Sequence, residues 1–132
     1  MRVLCIEDEA STLDVYRRFI SDAGHNVTLA KNGQEGIDLF VRNQESASNE
    51  GPFDLVIVDF RMPVKDGVDA IKSILAARPD QKIILATAYP YEVTRKAQDL
   101  PMDKIRIIRK PFDPDDLLKL IEKYGTEGDR TK

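Results

Sequence analysis

Five short apolar runs recur along the chain, and each is followed by a segment in which apolar residues have helical spacing. The runs begin near Val3, Val27, Leu55, Ile83 and Ile105. Regular alternation of strands with helices predicts a parallel sheet covered on both faces, because parallel strands need long crossover connections. We therefore expect an α/β domain with five strands and five helices.

The character of the five runs predicts their order in the sheet. The first, third and fourth are apolar throughout, as is typical of central strands. The second and fifth alternate with polar residues, which is typical of edge strands. Right-handed crossovers then favour the order 2-1-3-4-5, the flavodoxin-like doubly wound arrangement. Its switch point lies between strands one and three, and open α/β sheets bind ligands at such a point.

Polar residues indicate where the helices begin. Asn32, Asp66 and Asp113 each precede an apolar helical stripe and are expected to cap it. Ser11 or Thr12 is expected to cap the first helix in the same way.

Length and composition fit a single domain. The chain has 132 residues, of which 42% are hydrophobic, so it can bury one core. Gly125 is expected to end the last helix, which makes residues 1–124 the domain and residues 125–132 a disordered tail.

The net charge of −3 argues against direct nucleic-acid binding. No apolar run approaches the ~20 residues of a membrane helix, and a single cysteine without a signal peptide predicts a cytoplasmic location.

Three acidic residues follow the two strands at the switch point. Glu7 and Asp8 come after strand one, and Asp59 ends strand three. Two such charges ~4 Å apart repel by roughly 4 kcal/mol at an effective dielectric near 20, so the cluster needs a compensating cation. Oxygen-only ligands are those of hard divalent ions, and the sequence therefore predicts a site for Mg²⁺ or Mn²⁺.

Two further side chains are expected at the same edge of the sheet. Lys110 follows strand five and adds a fixed positive charge, and Thr87 ends strand four and adds a hydroxyl. A carboxylate beside a metal, a lysine and a hydroxyl can carry out phosphoryl transfer. Asp59 can attack phosphorus while Lys110 neutralises the transferring oxygens and Thr87 donates to the attached group.

These strand-end motifs resemble those of the receiver domain of two-component response regulators, over about residues 2–124. The matching segments are Glu7-Asp8, the sequence VDFRMPVKDG around Asp59, Thr87-Ala88 and Lys110-Pro111. Each motif alone is weak, but all four occur in order at the right strand ends.

The resemblance implies a role for each acidic residue. Asp59 would be the phosphoacceptor and a metal ligand, and Asp8 would bind the metal directly. Glu7 would assist Asp8, often through water, although the family more often has Asp there. The backbone carbonyl of Arg61 would complete the metal shell.

The resemblance also assigns the phosphoryl-binding residues. Thr87 and Lys110 would bind the phosphoryl oxygens, and the Lys110–Pro111 peptide bond would be cis. Many receivers carry Tyr or Phe three residues before the lysine, as a side chain that rotates on activation. This chain has Ile107 there, so a switch through Thr87 would need another aromatic group, such as Tyr89 or Tyr91.

Arg61 and Tyr89 occupy the variable positions that flank the site in the family. Both side chains are large. We expect them to limit the access of water and to slow the loss of the phosphoryl group.

The implied partners are a sensor histidine kinase or phosphotransfer protein, which donates the phosphoryl group, and a downstream protein target. The receiver would catalyse its own phosphorylation and later hydrolysis. Kinases of such systems dock on helix one and the loop after strand five. The face formed by helix four, strand five and helix five would bind the target, and it is also where a homodimer would form.

Other functions fit less well. A phosphatase of the haloacid dehalogenase type needs a second acid two residues after the nucleophile, where this chain has Arg61. A flavodoxin-like carrier needs a phosphate-binding loop after strand one, where Glu7 and Asp8 would repel the flavin phosphate. A pseudo-receiver, which binds partners without phosphorylation, shares the predicted fold and is the main alternative.

Overall fold

The computed structural model describes residues 1–44, 52–62 and 66–127, in which strands and helices alternate. The strands are β1 (Arg2–Ile6), β2 (Asn26–Ala30), β3 (Leu55–Asp59), β4 (Ile83–Thr87) and β5 (Ile105–Arg109). The helices are α1 (Ala10–Asp22), α2 (Gly33–Gln44), α3 (Gly67–Ala77), α4 (Pro90–Lys96) and α5 (Pro114–Glu127). A short 3₁₀ helix, Met102–Lys104, precedes β5.

The five strands form one parallel sheet in the order β2-β1-β3-β4-β5, which confirms the predicted fold. The register aligns the carboxyl ends of the strands. Ile6 lies opposite Val58, so the residues that follow β1 lie beside the end of β3. Asp59 lies opposite Ala86, which places Thr87 one residue farther along β4.

The side chains of each strand alternate between two hydrophobic layers. In β1, Leu4 and Ile6 belong to one layer, and Val3 and Cys5 belong to the other. Helices α2, α3 and α4 cover the first layer, and α1 and α5 cover the second. Every residue of β3 and β4 is buried, as predicted for central strands.

Three predicted caps are confirmed. The side chains of Asn32, Asp66 and Asp113 each accept a hydrogen bond from a backbone N–H two or three residues later, at 2.8–2.9 Å. These bonds satisfy N–H groups that a helix start leaves without a partner.

The predicted cap of the first helix was wrong. Helix α1 begins at Ala10, and the hydroxyls of Ser11 and Thr12 donate to the Glu9 carboxylate instead of accepting from the backbone. Because the Glu9 carboxylate is close enough to accept from both hydroxyls, neither Ser11 nor Thr12 caps the helix.

The predicted end of the last helix was also wrong, because α5 continues past Gly125 to Glu127. Gly125 serves packing here: a Cβ at this position would lie 2.2 Å from Sδ of Met1. Residues 125–127 of the expected tail are therefore helical, and residues 128–132 lie outside the described part of the chain. Within the described ranges, no helix combines the length and the apolar character needed to cross a membrane.

Candidate functional site

Three carboxylates meet where β1 and β3 end. Glu7 and Asp8 follow β1 directly, and Asp59 is the last residue of β3. One oxygen from each of the three lies within 4.8 Å of the others. Glu7 and Asp59 are buried, whereas Asp8 is exposed to solvent. The cluster is therefore open on the side of Asp8.

Lys110 bridges the two buried acids. Its Nζ donates to Glu7 Oε1 at 2.7 Å and to Asp59 Oδ1 at 2.9 Å. Its backbone N–H donates to the carbonyl of Thr87 at 2.8 Å, which holds the residue against the end of β4. The Lys110–Pro111 peptide bond is cis, as expected.

Burial governs the titration of these acids. The pKa of Glu7 is raised to about 7, mainly by burial, with the hydrogen bond from Lys110 opposing the rise and the charge of Asp59 adding to it. Burial also raises the pKa of Asp59, again opposed by Lys110. Burial alone would lower the pKa of Lys110, but its hydrogen bonds to both acids raise it above the ordinary value. One ammonium group thus only partly offsets the three neighbouring acids.

The donor set fits a hard divalent cation. All three donors are carboxylate oxygens, which Mg²⁺ and Mn²⁺ prefer, and they lie close enough to share one ion. Arg61 lies in the loop two residues after Asp59, where its carbonyl remains a predicted ligand. Residues 63–65 of the same motif lie outside the described residues.

The Thr87 hydroxyl lies at the end of β4 and is buried. Its Oγ1 accepts a hydrogen bond from the backbone N–H of Tyr89 at 2.8 Å. A hydroxyl that accepts one bond still has its own proton to donate. Thr87 can therefore donate to a group held at Asp59 without losing its bond to Tyr89.

A second group of side chains connects the loop after β3 to α4. The Arg61 guanidinium donates to the Glu92 carboxylate and lies over the Tyr89 ring, 4.1 Å from its centroid. Sequence reasoning singled out Arg61 and Tyr89 but missed Glu92. The local sequence shows only that Glu92 is an acid in the first turn of a helix. Such an acid is common because it stabilises the helix dipole, so it does not indicate a contact with Arg61.

Ile107, at the position where many receivers carry a switching aromatic residue, lies outside this group of side chains. Ile107 is 38% exposed on β5, and Tyr91 is 88% exposed at the start of α4. Tyr89 is thus the aromatic residue whose connection to Thr87 the structure describes.

Comparisons with known proteins agree with this geometry. The sequence model of the family described as "Response regulator receiver domain" matches residues 3–122. The transcriptional regulatory protein DltR of Streptococcus agalactiae is 31% identical over 121 residues, and the match covers 92% of this chain and 50% of DltR. The response regulator receiver protein CpdR of Brucella abortus is 30% identical, with 92% of this chain and 94% of CpdR covered. The chain thus spans half the length of DltR but nearly all of CpdR.

Solved structures show the same architecture. A CheY-like receiver domain protein from Methanospirillum hungatei superposes with a TM-score of 0.82 at 24% identity, over 99% of this chain and 98% of that one. The response regulator TrrA of Thermotoga maritima, solved in complex with Mg(2+)-BeF, has a TM-score of 0.74 at 28% identity, over 93% and 97% of the two chains. With its family match, sheet order and clustered acids, this chain belongs to the response regulator receiver domain family.

Proposed function

We propose that this receiver accepts a phosphoryl group on Asp59 from a phosphohistidine of a sensor histidine kinase or phosphotransfer protein. The observation that carries the proposal is the position of Lys110. Its Nζ contacts the Asp59 carboxylate, while Glu7 and Asp8 complete an acidic cluster beside it.

The transfer exchanges one bond to phosphorus for another. An oxygen of Asp59 attacks the phosphorus, the new O–P bond forms as the N–P bond breaks, and the histidine imidazole leaves. Lys110 holds the attacking carboxylate and faces the developing charge on the phosphoryl oxygens. Asp8 and Asp59, with Glu7 through water and the Arg61 carbonyl, would hold Mg²⁺ or Mn²⁺, which would supply further charge neutralisation.

Thr87 is the second phosphoryl-binding residue in this proposal. Its buried hydroxyl lies on the strand next to Asp59 and keeps a proton to donate. Two relatives support the phosphoacceptor role of the domain as a whole. TrrA was solved with Mg(2+)-BeF, and CpdR is a receiver protein of similar length.

We assign the kinase to a groove beside the site. A cavity of about 400 Å³ lies between α1 and the loop after β5, and its lining includes Thr12, Val15, Pro111 and Phe112. An apolar floor next to Lys110 would let a donor helix approach Asp59.

We assign the downstream protein to the face formed by α4, β5 and α5. Tyr91 and Ile107 are exposed there, and Tyr91 lines a surface pocket together with Arg95 and Arg109. A phosphoryl group adds about −1.5 to −2 charge, and the resulting shift in conformation would change how this face binds its target.

A homodimer through the same face remains a prediction from the resemblance. The cytoplasmic location remains a prediction from the sequence.

Incubation with acetyl phosphate and Mg²⁺, followed by intact mass measurement, tests the phosphoacceptor role. We expect a gain of about 80 Da in the wild type. The gain should be absent in Asp59→Asn and present in Asp38→Asn, a control acid exposed on α2. A wild type that binds Mg²⁺ but gains no mass, even with donor kinases, would favour the pseudo-receiver instead.

A further inference from the structure

The Arg61 side chain contacts two residues, Glu92 in the first turn of α4 and Tyr89 immediately before this helix. Arg61 pairs with Glu92 and stacks on Tyr89, so it connects the loop that follows Asp59 to the first turn of α4. The other oxygen of Glu92 lies 3.7 Å from Lys96 Nζ, one helical turn along α4.

A phosphoryl group on Asp59 would compete for the same guanidinium. Arg61 follows Asp59 by two residues, and the Tyr89 ring beneath it follows Thr87 by two residues. Arg61 and Tyr89 thus each lie two positions beyond a strand end that flanks the site, and we expect the long arginine side chain to reach a phosphoryl group there. Arginine binds both carboxylate and phosphate oxygens in a bidentate manner, and a phosphoryl group carries more negative charge than the Glu92 carboxylate.

We propose that Glu92 is a positioning residue that holds Arg61 on α4 until a phosphoryl group on Asp59 draws the guanidinium away. This inference rests on the proposed function and adds the connection that the site lacks when Ile107 replaces an aromatic side chain. Loss of the Arg61 bond leaves Glu92 with Lys96 alone and releases the first turn of α4 from the loop after β3.

Thr87 provides a second link between the phosphorylation site and the start of α4. Its Oγ1 holds the N–H of Tyr89, and the carbonyl of Tyr89 accepts the first backbone hydrogen bonds of α4, from Glu92 and Val93. A movement of Thr87 toward a phosphoryl oxygen therefore carries Tyr89 with it. The ring that supports Arg61 and the start of α4 move together.

A double-mutant cycle with beryllofluoride, a phosphoryl mimic, tests the competition in the presence of Mg²⁺. The four proteins are the wild type, Glu92→Gln, Arg61→Gln and the double variant, and the affinity for beryllofluoride is measured by NMR titration. Glu92→Gln should tighten binding about two- to five-fold, the range for loss of one exposed ion pair. In the Arg61→Gln background the same substitution should have no effect.

Two further measurements separate positioning from general destabilisation. In the free Glu92→Gln protein, the amide signals of Val93 and Ala97 should shift toward their positions in the beryllofluoride-bound wild type. Lys96→Gln removes the other partner of Glu92 and should not tighten binding. An equal effect of Glu92→Gln with and without Arg61 would overturn the inference while leaving the phosphoacceptor role intact. Failure of the wild type to bind beryllofluoride would overturn both.

Discussion

Lys110, at the end of β5, reaches across the end of β4 to hydrogen-bond Asp59 at the end of β3, with Nζ 2.9 Å from Oδ1. The same ammonium group holds Glu7 at 2.7 Å. A single cation thus ties together the ends of three strands. It also keeps two buried carboxylates from facing each other without a counter-charge.

Removal of this cation should destabilise the fold as well as abolish phosphorylation. Lys110→Met leaves Glu7 and Asp59 buried without their partner, and we expect a loss of roughly 1–3 kcal/mol in the free energy of unfolding. Urea denaturation measures the loss, and Lys119→Met, an exposed lysine of α5, is the control. A loss no greater than that of the control would show that the bridge contributes no stability.

Mg²⁺ should stabilise the protein by binding the acidic cluster. At a concentration ten times the Kd, binding adds about 1.4 kcal/mol, which corresponds to a rise in Tm of roughly 3–7 °C. Asp8→Asn should abolish the rise, because Asp8 is the accessible ligand of the cluster. Asp59→Asn should raise the Tm of the metal-free protein by removing one repelling charge. A full Mg²⁺ shift in Asp8→Asn would refute the metal assignment.

The large side chains beside the site should lengthen the lifetime of the phosphorylated state. Arg61 stacks on Tyr89, two positions beyond the ends of β3 and β4, and we expect these two side chains to restrict the approach of water to the phosphoryl group. Arg61→Ala and Tyr89→Ala should each hydrolyse the phosphoryl group severalfold faster, as followed by intact mass over time. Tyr91→Ala changes an exposed tyrosine on α4 and should leave the rate unchanged. Equal rates in all four proteins would show that this pair does not shield the site.

Gly67 should tolerate no side chain, because α3 begins in contact with the end of β3. A Cβ at Gly67 would lie 2.4 Å from the carbonyl oxygen of Asp59 and 2.8 Å from the Cα of Phe60. Gly67→Ala must displace the backbone that carries the phosphoacceptor. We expect a loss of roughly 1–3 kcal/mol in stability and slower phosphorylation. Unchanged values for both, by urea denaturation and intact mass, would contradict this close approach.

Tyr16→Phe should preserve or increase stability, unlike most changes in a core. The Tyr16 hydroxyl is buried and has no hydrogen-bond partner among the described residues. Its ring stacks on Phe112, with centroids 6.0 Å apart, and phenylalanine keeps this contact. Removing an unsatisfied hydroxyl should gain up to ~1 kcal/mol in urea denaturation. A clear loss would indicate a bound water or another partner for that oxygen.

Sequence periodicity was sufficient to predict the sheet order and the cluster of acids. Strands with apolar residues throughout must be central, and the carboxyl ends of parallel strands share one edge. Glu7, Asp8, Asp59 and Lys110 therefore had to lie near one another once the order was known. The caps at Asn32, Asp66 and Asp113 were equally local, since each bond spans only two or three residues.

The tertiary structure alone decided the contacts that depend on how loops and helix starts are placed. Arg61 and Glu92 are 31 residues apart, and no periodicity relates a loop side chain to the first turn of a distant helix. Gly125 resembles a helix terminator in sequence, yet the nearby Met1 side chain makes it a packing position within α5. The sequence by itself therefore determined which residues lie at the carboxyl-terminal edge of the sheet, where the site forms. Packing between distant segments decided which partners those residues hold, because such contacts depend on three-dimensional paths that local patterns do not encode.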